Sequence, residues 1–366
     1  MDRDKTIAEE RKGQQSFLNY ISVLLMPVIA VIFGLLIGAI FMKLIGKNPL
    51  QAYQVLWNSS FGSLRGFYET LVNTTPLIFT GLAVAFAFRC GLFNIGGDGQ
   101  FLIAYTATAW VGYVISLPWF IHIPLALLAG IILGGVWGGF AGYLKATLGV
   151  HEVITTIMMN YISLYFTGYL IGGPLMKPGA LPATPKILES ARLWRVPHSR
   201  LNLGFMIALI AAALIYYLLW KTTIGYEVRA VGLNPDGAEY GGISVARNMV
   251  LAMFISGALA GLAGSVQVMG LEYRAYQPFG FIGYGFTGIA VALLGKNHPG
   301  GVVLSALLFG ILSRGAMQMQ SLAGVPKEVI EIIQAIIIFF VAAEYMFTLI
   351  ARKIKRRRGG ISLVNQ

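Results

Sequence analysis

Long apolar runs separated by short polar stretches dominate the chain. Runs of about eighteen or more apolar residues read as membrane spans. The pattern predicts an all-α polytopic membrane protein with about ten transmembrane helices. Expected spans run from about Ile21 to Phe41, Leu71 to Phe88, Phe101 to Leu117, His122 to Leu148 and Val153 to Ile171. After a proline-bearing polar loop they continue from Gly204 to Trp220, Asn248 to Gly270, Gly283 to Gly295, Gly300 to Met319 and Val329 to Ala351. The run that starts at Gly283 is short, and a re-entrant piece would fit it as well as a crossing. The domain plan is a cytoplasmic N-terminal segment (1–20), one transmembrane domain (21–351) and a basic cytoplasmic tail (352–366). Within the domain lie an extracytoplasmic loop at 173–203 and a cytoplasmic loop at 221–247.

Ten spans put both termini on one side and divide into two sets of five. An odd number per half gives the halves opposite topology, the inverted-repeat plan of many transporters. With the termini inside, sixteen of the 27 Lys and Arg side chains fall on the cytoplasmic side, six of them in the tail. Positive residues favour that side.

Composition sharpens this picture. Of 366 residues 57% are hydrophobic and 11% charged, where soluble domains carry about 25% charged residues. The net charge of +12 belongs to span flanks rather than to a nucleic-acid surface, since no basic patch is interleaved with aromatics on a polar segment. A lone cysteine, Cys90, excludes an intramolecular disulfide framework. The histidines are scattered at loops or span ends, and no cluster has metal-ligand spacing. No catalytic residue set is evident.

Candidate chemistry sits in a few segments. Residues Gly91–Gln100 (GLFNIGGDGQ) carry four glycines between two apolar spans. Glycine permits φ > 0 and close approach, and Asp98 is placed to cap the third span and suit its dipole. The segment is either a capped tight turn or a functional loop in which Asn94, Asp98 and Gln100 line a substrate path. In HEVITTIMMNY (His151–Tyr161), Glu152, Thr156 and Asn160 fall on one helical face. Such a stripe walls a hydrophilic path, or else Glu152 lies at the water interface and the others bond between helices. Gly130, Gly134, Gly138 and Gly142 recur every fourth residue, which lets two helices pack backbone to backbone.

The cytoplasmic loop holds Asn234, Pro235, Ala238, Glu239, Tyr240 and Gly241. Asn-Pro starts a helix, and Gly241-Gly242 closes it. A short capped helix on the inner face suits docking to a soluble partner, or lies on lipid. Gly295-Lys296 does not complete a phosphate loop: Ala290 stands where glycine is needed and Asn297 where Ser or Thr is needed. The chain is therefore expected to bind no ATP and no other cofactor of its own.

Four ordered segments, GLFNIGGDGQ, HEVITTIMMNY, VGLNPDGAEYGGISVARNMVLAMFISGALAGLAGSVQVMG and GIAVALLGKNHPGGVVLSALLFG, resemble the permease subunits of ABC importers for nucleosides and simple sugars, relatives of the branched-chain amino-acid permeases. The resemblance covers most of Leu71 to Ala351. It implies a prokaryotic plasma-membrane importer in which this chain pairs with a second permease. A cytoplasmic subunit would use ATP, and an extracytoplasmic lipoprotein would deliver substrate. The helix around Asn234–Tyr240 would be the coupling helix, and the loop at 173–203 a dock for the lipoprotein. The overall match, including the N-terminal extension, points to nucleosides, with ribose an alternative. Departures from the family pattern are Asp98 for the usual Glu, Gly97 for the usual Ala and His151 for the usual Asn. A secondary transporter would need an acid at the centre of a span, whereas Glu152, Glu331 and Glu344 fall near span ends. An enzyme would need a reactive set, and a channel a filter; neither is present in the sequence.

Overall fold

The computed structural model describes residues 28–179, 181–341 and 343. The N-terminal segment 1–20, the start of the first expected span, Glu344 and the basic tail lie outside the described residues. In chain order the helices are α1 (Val28–Leu44), α2 (Pro49–Phe61), α3 (Leu64–Arg89), α4 (Gly97–Val114), α5 (Trp119–Leu148), α6 (Glu152–Gly172), α7 (Gly204–Lys221), α8 (Thr223–Leu233), α9 (Pro235–Tyr240), α10 (Val245–Gln267), α11 (Tyr284–Leu294) and α12 (Pro299–Ala323). A further helix, α13, covers 327–341. A one-turn 3₁₀ helix (Glu189–Ala191) and a π-helical turn (Val268–Glu272) complete the regular structure. Among the described residues the only β pairing is two isolated bridges, so the protein is all-helical. Five helices, α3, α5, α7, α10 with its π turn, and α12, are long and apolar enough to cross a membrane.

The chain forms two compact units, one from its two ends (to Val55 and from Ala316) and one from Leu56–Gly315. In the first, Gly34 of α1 faces α13, where a β-carbon would come within 2.7 Å of Ile337. Phe33 stacks on Phe340 at 5.1 Å, and the Tyr53 hydroxyl donates to the Leu35 carbonyl.

In the second unit α3 is the central helix. Its most apolar window is 83% buried, against 28% for α5 and 33% for α7, which turn their sides outward to the surroundings. Thr70, Thr74, Thr75 and Thr80 donate to carbonyls one turn back on α3 at 2.8–3.1 Å. Their hydroxyls thus need no water inside a packed helix. Helix α5 meets α10 through glycine on both sides. A β-carbon on Gly134 would lie 2.7 Å from the Gly257 carbonyl oxygen and 2.8 Å from the Gly261 Cα. One on Gly138 would lie 2.5 Å from the Met253 carbonyl oxygen, and one on Gly142 would lie 2.8 Å from the Met253 Cβ. Gly130 faces Ser265 in the same seam.

Several boundaries differ from the apolar pattern. Helix α3 begins at Leu64 rather than Leu71, because Ser63 caps it by accepting from the Gly66 N–H. Helix α4 begins at Gly97 rather than Phe101, since a side chain from α6 supports its polar first turn. Helices α2 and α8 were hidden in stretches that read as loops. Thr222 starts α8 by accepting from the Gly225 N–H. His122 is fully buried in the first turn of α5, with Nδ1 at 2.8 Å from Ser190 Oγ and Nε2 at 3.3 Å from the Val111 carbonyl.

Candidate functional site

The glycine-rich segment leaves α3 at Arg89 and turns at Gly91, whose φ is +76°. It then runs without regular structure to a turn at Gly96, where α4 begins. The segment meets α6 at Asn160, the ninth residue of that helix. At 1.5 Å per residue this is about 12 Å along the α6 axis. Helix α4 therefore starts well inside the bundle, beside the middle of α6.

Asn160 stitches the two together. Its Oδ1 accepts from the Gly99 N–H at 2.8 Å, and its Nδ2 donates to the Ile95 carbonyl at 2.9 Å. One of the free N–H groups at the α4 terminus is thereby satisfied by another helix. Asn94 and Gln100 exchange two amide hydrogen bonds of 3.0 and 3.1 Å. Asn94 also accepts from Gly96 N and donates to Ser256 Oγ at 2.7 Å. Ser256 in turn donates to the Ala83 carbonyl. Thr156 packs against Gly96 and donates to the Glu152 carbonyl at 2.8 Å. Asn94, Gln100, Thr156 and Asn160 are each 1% exposed, so they form one buried polar cluster that binds α3, α4, α6 and α10.

Asp98 does something different. It lies in the first turn of α4, but Gly96 rather than Asp98 is the cap of that helix. Its Oδ1 accepts from the Gly283 and Gly285 N–H groups, each at 3.1 Å. These are the first orphan donors of α11, so the carboxyl group of one helix start caps another. Closeness demands glycine: a β-carbon on Gly97 would come within 3.0 Å of the Gly285 Cα. Helix α11 has 11 residues, about 16 Å, or roughly half of a hydrocarbon core about 30 Å thick. Two helices thus begin inside the bundle with their N-termini together, a geometry that many transporters place at their substrate level. It also buries one carboxyl, Asp98, 1% exposed, between the two helix starts.

Glu152 stands apart from this cluster. Its carboxylate is 2.9 Å from Lys145 Nζ, an ion pair that closes the turn between α5 and α6 at Gly149 (φ +68°). His151 Nδ1 is a further 3.9 Å contact. Its value lies between the about 1 kcal/mol of an exposed pair and the about 3–5 kcal/mol lost when a buried one is broken. Lys145→Met and Glu152→Gln are each expected to lower the melting temperature of the purified permease, with the double variant no worse than the poorer single one. Additive losses would remove the pairing role. A transport defect without a melting defect in Glu152→Gln would instead place that carboxylate on a path.

On the cytoplasmic loop, Asn234 Oδ1 accepts from the Gly237 N–H at 3.1 Å and Pro235 fills the first helical position. Gly242 ends α9 at φ +81°, with its N–H on the Glu239 carbonyl. Ala238 is the buried residue of α9, while Tyr240 is 98% exposed and Leu233, just before α9, is 88% exposed. Glu239 lines an open cleft of about 360 Å³ with Lys145 and Ser244. Gly232 at the end of α8 packs on the backbone of Arg89–Gly91. Glu227 of α8 accepts from Asn248 Nδ2 at 3.0 Å, and the Cys90 thiol donates to the Asn248 carbonyl.

Sequence reasoning missed Ser256, Gly283 and Gly285, which lie 162 to 187 positions from their partners. It also stopped at Tyr161, where a row of tyrosines begins.

Comparison with known proteins shows the family. A family described as the permease component of branched-chain amino acid transport systems matches residues 66–342. The guanosine ABC transporter permease NupP of Bacillus subtilis is 48% identical over 345 residues, covering 92% of this chain and 98% of that protein. The nucleoside ABC transporter permease NupB of Lactococcus lactis is 40% identical, covering 90% and 94%. A glucose ABC transporter permease of Haloferax volcanii is 33% identical, covering 92% and 90%. The chain belongs to the ABC transporter permease family of the branched-chain amino acid transport type.

Proposed function

We propose that this chain is one transmembrane half of an ATP-binding-cassette importer that carries nucleosides across a prokaryotic plasma membrane. It crosses about ten times with both termini cytoplasmic, as its pattern of apolar runs suggests. Its partners are a second permease, a cytoplasmic subunit that hydrolyses ATP and an extracytoplasmic lipoprotein that presents substrate. The relatives named for guanosine and for nucleosides, similar along nearly their whole length, support the substrate class. A simple sugar is the second reading, favoured by the relative named for glucose.

The observation that carries the importer reading is the α8–α9 unit. The end of α8 presents Leu233 outward and the capped six-residue helix α9 presents Tyr240 outward. Tyrosine is among the residues that dominate docking energies, and an exposed leucine beside it adds apolar area to bury. Force applied to α9 passes through α8, whose Gly232 rests on Arg89–Gly91. From Gly91 the same segment leads to Asn94 and Asp98, and through Asp98 to α11. ATP-driven motion on the inner face is thus linked by packed backbone to the place where α4 and α11 begin. On this reading Asn94, Gln100 and Asn160 brace the path, and Asp98 sets the angle between its two half-helices.

Replacing Leu233 and Tyr240 together with aspartate is expected to leave the permease inserted and folded. Substrate-stimulated ATP hydrolysis by the reconstituted complex should fall at least about tenfold, and the ATPase subunit should no longer co-purify. Undiminished uptake in that variant would remove the coupling role. Uptake of labelled guanosine against ribose and glucose then separates the two substrate readings.

A further inference from the structure

We propose that the cleft between α6 and the segment ahead of α11 is the subsite that holds the base of the nucleoside, with Gln277 reading its edge. The proposal rests on the nucleoside reading above and assigns residues to it.

Helix α6 turns two unlike faces to its surroundings. One carries the buried cluster already described. The other carries Tyr161, Tyr165 and Tyr169, at i, i+4 and i+8, with exposures of 46, 72 and 68%. None of their hydroxyls makes a hydrogen bond among the described residues. The row climbs about 12 Å along the helix from its middle to its outer end. Tyrosine is frequent where a span meets water, at one level. A row that starts at the middle of a span would leave phenol groups in hydrocarbon, where an unpaired hydroxyl is costly. Such a row belongs beside water or a polar ligand.

The opposite wall supports this. A cleft of about 560 Å³ lies between Tyr165 and Tyr169 on one side and Gln277, Pro278 and Phe279 on the other. That volume lies within the about 300–1,000 Å³ of small-molecule sites. Its floor is Gly168 and Gly172. A β-carbon at Gly172 would come within 3.0 Å of Gln277 Oε1, so the glycine keeps the space in front of the amide open. Phe279 is 93% exposed, and at the inner end Phe281 meets Tyr161 edge-on at 5.2 Å.

Gln277 is aimed rather than loose. Its backbone N–H donates to the Pro182 carbonyl at 2.9 Å, next to the bridge between Ala183 and Tyr276. Tyr276 N donates to the Tyr105 hydroxyl at 3.0 Å, and that hydroxyl also bonds Glu272. The main chain is held from both sides, yet the Gln277 amide makes no hydrogen bond among the described residues. An amide offers a donor and an acceptor side by side, which matches the edge of a heteroaromatic base. Rings of Tyr and Phe stack on such a base. A ribose alone would use neither feature fully.

The test uses the whole transporter, this chain with its second permease, ATPase and binding protein, in proteoliposomes supplied with labelled guanosine or labelled ribose. Gln277→Ala and Tyr169→Ala are each expected to raise the KM for guanosine about tenfold or more. Tyr169→Phe, which keeps the ring, should recover most of the loss. Melting temperature and recovery of the second permease report folding and assembly of each variant. An unchanged KM in both alanine variants of a transporter that carries guanosine overturns the subsite and leaves the nucleoside reading standing. Ribose uptake without guanosine uptake in the unaltered transporter overturns the nucleoside reading itself. Loss of the second permease on Tyr165→Ala or Tyr169→Ala overturns the subsite in favour of a subunit contact.

Discussion

Adding one methyl group at Gly138 is expected to prevent recovery of a stably folded permease, while the same change at Gly139 is tolerated. The two residues are neighbours on α5 and differ only in what they face. A β-carbon on Gly138 meets backbone, 2.5 Å from the Met253 carbonyl oxygen and 2.9 Å from the Gly257 Cα. Backbone in a paired helix cannot swing aside, so α5 and α10 must separate. Overpacking a core ordinarily costs about 1–3 kcal/mol. Here the separation also undoes the contacts at Gly130, Gly134 and Gly142 along the same seam, and interiors forfeit attraction quickly once gaps open. A β-carbon on Gly139 meets Phe254 Cβ at 3.4 Å, ordinary contact with a side chain. Thermal melts of Gly138→Ala and Gly139→Ala in detergent check this directly. Equal midpoints would mean that the seam is looser than its geometry states.

The sequence exposed this seam because its signal is local. Four glycines at one spacing announce a helix face that accepts another backbone, whatever the partner is. Helix α9 was legible for the same reason, since Asn234, Pro235 and Gly241-Gly242 carry start and stop within nine residues. Helix α8 was not, because Thr223–Leu233 mixes charge with apolar residues and its starting cap is one threonine in a polar stretch. Nor was the work of Asp98. A carboxylate ahead of an apolar run reads as the cap of that run, yet its bonds go to donors nearly two hundred positions away. The polar stripe on α6 was placed on one face correctly, but period alone does not say whether a face meets water or another helix. Partners divide it: Asn160 braces the start of α4, with Thr156 packed against Gly96, whereas Glu152 pairs with Lys145.

Asp98→Ala is expected to cost the permease its half-helix α11 and most of its transport, and the identity of residue 97 should decide how well a longer acid substitutes. Removing the carboxyl group strands the buried Gly285 N–H and leaves the part-buried Gly283 N–H without its protein acceptor. Each buried unsatisfied donor costs about 1–3 kcal/mol. Asp98→Asn keeps one acceptor oxygen and should retain much of the stability, losing the attraction between charge and the α11 terminus, about 0.3–1 kcal/mol. Glutamate is the informative change. The family pattern that the sequence resembles implies alanine and glutamate at these two positions, where this chain has Gly97 and Asp98. The geometry gives a reason for the pairing. A short acid draws the two helix starts so close that only glycine fits, with a β-carbon on residue 97 only 3.0 Å from the Gly285 Cα. One more methylene lengthens the strut, moves α11 outward and makes room for that β-carbon. Gly97→Ala and Asp98→Glu should each lower melting temperature and uptake, the first by clash and the second by leaving a gap. The double variant should recover most of both. A double-mutant cycle should therefore show a coupling of at least about 1 kcal/mol, well above the about 0.3–0.5 kcal/mol within which independent sites add. Strictly additive losses would mean that Asp98 holds α11 without setting its distance.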